Sequence, residues 1–115
     1  MLLLSIDANP ASGSNLVMEE FMVPAGDRGI KLYVRNKHPY RVNKFPSGKI
    51  LLFVHGATYP SETTFDLKLN GFSWMDYIAR HGRDVYLIDL RGYSKSTRPP
   101  EMKRHLFWID EFDIF

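Results

Sequence analysis

The chain has 115 residues, of which 44% are hydrophobic, 14% aromatic and 24% charged. That suffices for one small globular domain with one core and excludes a disordered or fibrous chain. With 15 Lys and Arg against 13 Asp and Glu the formal charge is only +2, and there is no cysteine; nucleic acid or an anionic membrane has no broad field to answer, and a disulfide framework, a cysteine-ligated zinc and a cysteine nucleophile are excluded.

Met1-Leu2-Leu3-Leu4 is too short for the apolar core of a signal peptide, which takes about 7–15 residues, and no basic segment precedes it. Ile50–Val54 is far short of the ~20 apolar residues that cross a bilayer. The expectation is a soluble, cytoplasmic protein without nucleic-acid or membrane partners. Residues 1–15, with the turn-prone run from Asp7 to Asn15, read as a loose N-terminal segment. Residues 16–23 read as a first strand. Residues 30–36 alternate, with Ile30, Leu32 and Val34 on one side and Lys31, Tyr33 and Arg35 on the other. That period of two predicts a half-buried strand, antiparallel to its predecessor.

Residues 37–48 carry prolines and a glycine and read as a loop. Arg35, Lys37, Arg41, Lys44 and Lys49 make this the most basic part of the chain, with Tyr40 and Phe45 interleaved. A near-neutral protein favours a solvated loop here over a nucleic-acid patch. Ile50–Val54 is continuously apolar, the pattern of a parallel strand covered on both faces. Residues 59–71 read as a long connection. From Phe72 to Gly82 the spacing predicts a helix, with Phe72, Met75, Ile78 and Ala79 on one face and Gly82 at C′. Residues 84–90 form the next buried strand. Strand, helix, strand is a βαβ unit, so the predicted order is β-β-β-α-β: an antiparallel pair leading into a parallel sheet.

Two serines imitate the G-x-S-x-G turn that presents a hydrolase nucleophile. Ser73 precedes a helix and has Asp76 three residues on, which suits an N-cap with a capping box. Ser94, in Gly92-Tyr93-Ser94-Lys95-Ser96, has a strand before it but Pro99-Pro100 after it, and Ser96 replaces the last glycine. The prolines oppose the helix that an elbow requires. Of the histidines, His38 lies in the basic loop, His81 at a helix end and His105 in the tail; only His55 ends a buried strand. It reads as a packed histidine shaping a turn rather than as a general base. No metalloprotease, dinucleotide or P-loop signature is present, so no metal or cofactor is expected.

The pieces at residues 50–61 and 84–100, in order and joined by a helix, resemble the N-terminal part of an α/β-hydrolase over about residues 16–102. In that superfamily a buried strand ends in a His-Gly turn, and the next ends in a D-x-R-G-x-G-x-S-like turn. Here the first reads His55-Gly56-Ala57-Thr58 and the second Asp89-Leu90-Arg91-Gly92-Tyr93-Ser94-Lys95-Ser96, with Ser94 where Gly is usual. The resemblance implies that the Ala57 backbone N–H is one oxyanion-hole donor and that the Thr58 hydroxyl could add another. His55 and Gly56 would shape that loop, and Asp89, Arg91 and Gly92 would brace the facing turn. Thr58 in place of the proline of epoxide-hydrolase relatives, and Ala57 in place of the Asn or Glu of dehalogenase relatives, favour a serine ester-type hydrolase.

The same resemblance puts nucleophile, acid and catalytic histidine later in the chain than Asp89, where nothing in this sequence matches them. Residues 103–115 form an atypical tail, as a frameshift, a premature stop or a diverged small protein would produce. The fold is expected to be incomplete and marginally stable, with apolar surface and sheet edges open to self-association. An N-terminal hydrolase fragment, inactive alone, is the first expectation. The alternatives are a non-catalytic interaction module pairing through a sheet edge, and one half of a split hydrolase. A small ester would be the substrate of the complete enzyme; its identity is not legible.

Overall fold

The computed structural model describes residues 2–5, for the backbone alone, and residues 15–100. Their centre is a five-stranded mixed sheet. The strands are β1 (Leu2–Ser5), β2 (Leu16–Pro24), β3 (Lys31–Pro39), β4 (Ile50–Val54) and β5 (Asp84–Asp89). They lie in the order β1-β2-β3-β5-β4; β4 and β5 are parallel and every other neighbouring pair is antiparallel. Two short helices, α1 (Ser61–Phe65) and α2 (Trp74–Arg80), connect β4 to β5. A parallel pair cannot be joined by a tight hairpin, so the long connection and its helices are a geometric requirement. The antiparallel β2 and β3 need only a tight turn, closed by the Ala25 N–H donating to the Ile30 carbonyl at 2.9 Å, with Gly29 at φ +83°.

The molecule is thus a small α/β domain, and the β-β-β-α-β order is present within it. Three elements go beyond that reading. Residues 2–5, taken as part of a loose segment, pair with β2 as β1. A 3₁₀ turn covers Ser47–Lys49. The connection 59–71 contains α1, whose five residues are too short to show a helical period; Pro60 at its N-cap and Glu62 in its first turn were the available signals. The 103–115 tail lies outside the described residues.

α2 starts at its Ser73 cap, one residue after Phe72, which lies outside the helix and bridges to Leu69 instead of lying on its apolar face. Ser73 Oγ accepts from the Asp76 N–H at 3.0 Å, and the Asp76 side chain accepts from the Ser73 N–H at 3.0 Å, a complete capping box. Gly82, at φ +84°, takes the left-handed position after the helix. The buried face of α2, Met75 and Ala79, packs on Val85 and Leu87 of β5, Tyr33 of β3 and Leu16 of β2. Burying a side chain such as Leu87 contributes roughly 1.5–3 kcal/mol.

Two expectations are corrected. Ile50–Val54 is an edge strand, with Ile50 48% and Leu52 56% exposed. Its other face is covered, where Phe53 stacks on Phe65 at 4.3 Å and on Trp74 at 5.1 Å. A continuous apolar run cannot tell a central strand from an edge strand; β5 takes the inner position here. The second correction concerns β3, which runs on to Pro39 and is buried from Leu32 through Lys37 on both faces. Its polar side does not face water. It faces the helices, and the residues that make this tolerable are ion-paired.

Candidate active site

The two turns that carried the resemblance leave the carboxyl ends of the parallel strands β4 and β5, and the fold packs them together. His55 is buried. Its Nε2 accepts from the Leu90 N–H at 3.0 Å, so the ring is the neutral Nδ1–H tautomer, and Nδ1 donates to the Gly56 carbonyl at 2.6 Å. With both nitrogens engaged, this ring has no lone pair left for general-base work. The Tyr93 ring lies 4.1 Å from it, and the Tyr93 hydroxyl donates to the Ala57 carbonyl at 2.5 Å. Gly56, Ala57 and Thr58 are exposed, and no described residue accepts from the Ala57 N–H.

Asp89 is 0% exposed. Its Oδ1 accepts from the Ser61 N–H at 2.8 Å, and Ser61 Oγ donates to the Ile88 carbonyl at 2.5 Å, which fastens α1 to the end of β5. Among the described residues nothing bonds Asp89 Oδ2. Burial pushes the carboxyl above its usual range, against the pull of the Ser61 N–H and of nearby His55; Glu62 adds to the rise and Arg35 opposes it. Arg91 is buried and donates to Asp27 at 2.6 Å, tying the second turn to the β2–β3 connection. Gly92 supplies the turn with φ +84°.

Ser94 sits exposed at the tip of that turn with φ 43°. The chain does not enter a helix after it but folds back onto β3. The Gly92 N–H donates to the Thr97 carbonyl at 2.9 Å, and the Thr97 N–H to the Lys31 carbonyl at 2.9 Å. Buried Ser96 holds the junction: its Oγ accepts from the Tyr33 N–H at 2.8 Å and donates to the Asp89 carbonyl at 2.5 Å. In spacing terms Ser96 only replaces a glycine, although a short hydroxyl in a turn is a ready partner for backbone groups. Ser96→Ala would leave the buried Tyr33 N–H unpaired, and urea titration should show a loss of about 1–2 kcal/mol.

The feature sequence reasoning missed altogether is a buried ion-pair network between β3 and the helices. Asp66 Oδ2 pairs with Arg35 Nη1 at 2.6 Å, while its Oδ1 pairs with Lys37 Nζ at 2.6 Å and accepts from Ser73 Oγ at 2.6 Å. Lys37 Nζ also pairs with Asp76 Oδ1 at 2.7 Å, and Asp76 Oδ2 is paired with Lys68. Arg35 Nη2 reaches Glu20 at 2.8 Å and Glu62 at 3.2 Å, and the Tyr33 hydroxyl donates to Glu20. Burial pushes the Asp76 carboxyl up, but hydrogen bonds from Lys37, Lys68 and the Ser73 backbone outweigh it and hold the group well below its usual range. Glu20 is held low in the same way, by Tyr33 and Arg35 against its burial. Arg35 and Lys37, counted above with the basic loop, are therefore interior groups.

In chemical terms, this end of the sheet offers an exposed backbone donor at Ala57 and a braced facing turn. The bonds made by the rings of His38, His55 and His81 go to backbone groups, not to a serine hydroxyl. Among the described residues no group of three His, Asp or Glu could hold a metal ion. No helix among them is long and apolar enough to cross a membrane. No family model matches the chain, and no curated protein matches it.

Proposed function

We propose that this chain is the N-terminal part of an α/β-hydrolase, supplying one oxyanion donor for serine-dependent cleavage of an ester or related acyl bond. The observation that carries the reading is the joined pair of turns: His55, Tyr93 and Ser96 lock the first turn, the second turn and β3 into one unit, and no described residue accepts from the N–H of exposed Ala57. A backbone donor held this way is what a developing oxyanion requires. Thr58 stands beside it, exposed, as the candidate second donor. The antiparallel β2–β3 pair leading into the parallel β4–β5 pair supports the same reading. In this scheme the nucleophile, acid and catalytic histidine come from outside the described residues, and the location is cytoplasmic.

The purified chain should therefore turn over p-nitrophenyl acetate no faster than buffer, and Ser94→Ala should change nothing. Added methylphosphonate, an oxyanion mimic, should shift the Ala57 and Thr58 amide resonances and leave Gly82 in place. Turnover abolished by Ser94→Ala, or an unmoved Ala57 amide, defeats the reading.

A second reading is a module that pairs with another copy of itself through the β4 edge. It is favoured by the uncharged run from Ile50 to Val54, which has no partner strand on its outer side among the described residues and two exposed apolar side chains. Sedimentation should then show a defined dimer that Leu52→Lys converts to monomer. A monomeric parent chain rejects it.

A further inference from the structure

On the sheet face opposite α1 and α2, a groove of about 340 Å³ opens between the end of β3, the start of β5 and the 42–45 loop. Small-molecule sites begin at about this size. Its lining includes Glu19, Asn36, His38, Phe45, Asp84 and Tyr86, and no lysine or arginine. Arg41 precedes the loop and Lys44 lies within it, but both are exposed and outside the lining. The groove lies at the end of the sheet away from the His55 and Asp89 turns, so it is independent of the hydrolase reading.

The polar groups in this groove are mostly acceptors. Asn36 and Asp84 are only 3% and 8% exposed. Asn36 Nδ2 donates to Asp84 Oδ1 at 2.6 Å and to the Val85 carbonyl at 3.0 Å. Those two acceptors fix the amide's orientation, since the reverse would set oxygen against oxygen. No described residue donates to Asn36 Oδ1. His38 Nδ1 donates to the Pro39 carbonyl at 3.0 Å, which leaves Nε2 as an acceptor in the neutral ring. Burial first, then the charge of Asp84 and a hydrogen bond from the phenol to it, with Glu19 adding, push the Tyr86 phenol up to about 12. Phe45 sets its ring edge-on to His38 at 5.9 Å.

Carboxylates and other acceptors beside aromatic rings, with no lysine or arginine in the lining, match an ammonium group, which brings N–H donors and a charge that an aromatic face attracts. Among the described residues no group of three His, Asp or Glu is placed to hold a metal ion. We propose that this groove binds a small organic cation with a primary ammonium group, held by Glu19, Asp84 and the amide oxygen of Asn36, its carbon chain lying against Phe45 and Tyr86.

Amide NMR titrations of the whole chain with n-butylammonium, n-butanol and Mg²⁺ decide the matter. Butylammonium should give saturable shifts at Asn36, His38, Asn43 and Tyr86 that butanol does not give. Glu19→Gln should weaken binding about tenfold, the loss of one charged contact. This is the deciding variant, because Asp84 also holds Asn36 and its replacement would disturb the fold. Equal shifts with butanol, tighter binding of Mg²⁺ at the same amides, no saturable shift with any probe, or unchanged binding by Glu19→Gln each overturns the proposal.

Discussion

Replacing Asp66 by alanine is expected to remove about 3–5 kcal/mol of unfolding free energy, measured by urea titration. The size follows from what stays behind. The Asp66 side chain is 1% exposed and serves two buried cations, Arg35 and Lys37. Taking those cations out of water costs several kcal/mol each, and the carboxylate is much of what offsets it. Without it, Lys37 keeps Asp76 and Arg35 keeps Glu20 and Glu62, but Ser73 Oγ also loses its acceptor. A small domain has roughly 5–15 kcal/mol of total stability, so near the low end of that range the loss would take most of it. Glu62→Ala is the matched comparison. Glu62 pairs with the same Arg35, but its side chain is 41% exposed, and an ion pair in that setting is worth about 1 kcal/mol or less. Equal losses for the two variants would mean that the interior network does not form in solution.

Stability should also follow a dome against pH, and its two limbs have different owners. Asp76 and Glu20 are held below the usual carboxylate range in the fold, although in the unfolded chain they titrate near about pH 4. Their contribution is full above that pH and is lost as pH falls through the folded values, so the chain should unfold in acid. Asp89 has the opposite sign. Its carboxyl is pushed up by burial, so its contribution is full below about pH 4 and is lost as pH rises through the raised folded value. Asp89→Asn keeps an oxygen to accept from the Ser61 N–H and removes the ionisable group. It should flatten the high-pH limb, with a gain of about 1–3 kcal/mol there, and leave the acid limb in place. Urea midpoints taken from acid to mildly alkaline pH test this. A variant curve that runs parallel to the parent at every pH would rule out Asp89 as the owner of that limb.

What the sequence made legible was local. The Ser73–Asp76 capping box, Gly82 after α2 and the strands at 16–23 and 84–90 depend on residues a few positions apart. The side chains' surroundings were less legible. The alternation in β3 shows that its two faces differ, but period alone cannot say whether a polar face meets water or buried carboxylates. Arg35 and Lys37 therefore read as part of a basic loop, while the carboxylate they share, Asp66, lies in what read as a plain connection. The exposure of Leu52 was hidden for a related reason. Which strand takes the middle of a sheet is decided by topology, and an apolar run looks the same in either place. At the site, the resemblance picked out His55 and Asp89. The tether made by Ser96, which depends on a partner 63 positions away, left no trace that spacing could detect.

The insertion of β5 between β3 and β4 sets an order of assembly. The β2–β3 hairpin closes over a short turn and can form from local contacts alone. β4 has no pairing partner until β5 has been made, and β5 must bridge two strands at once to complete the sheet. Pairings across such separations are slow because loop closure precedes any gain from contact. During synthesis, the uncharged Ile50–Val54 segment therefore waits through more than thirty following residues with both backbone edges open. The interval in which this chain is most exposed to wrong partners is built into its strand order, before any question of how stable the finished fold is.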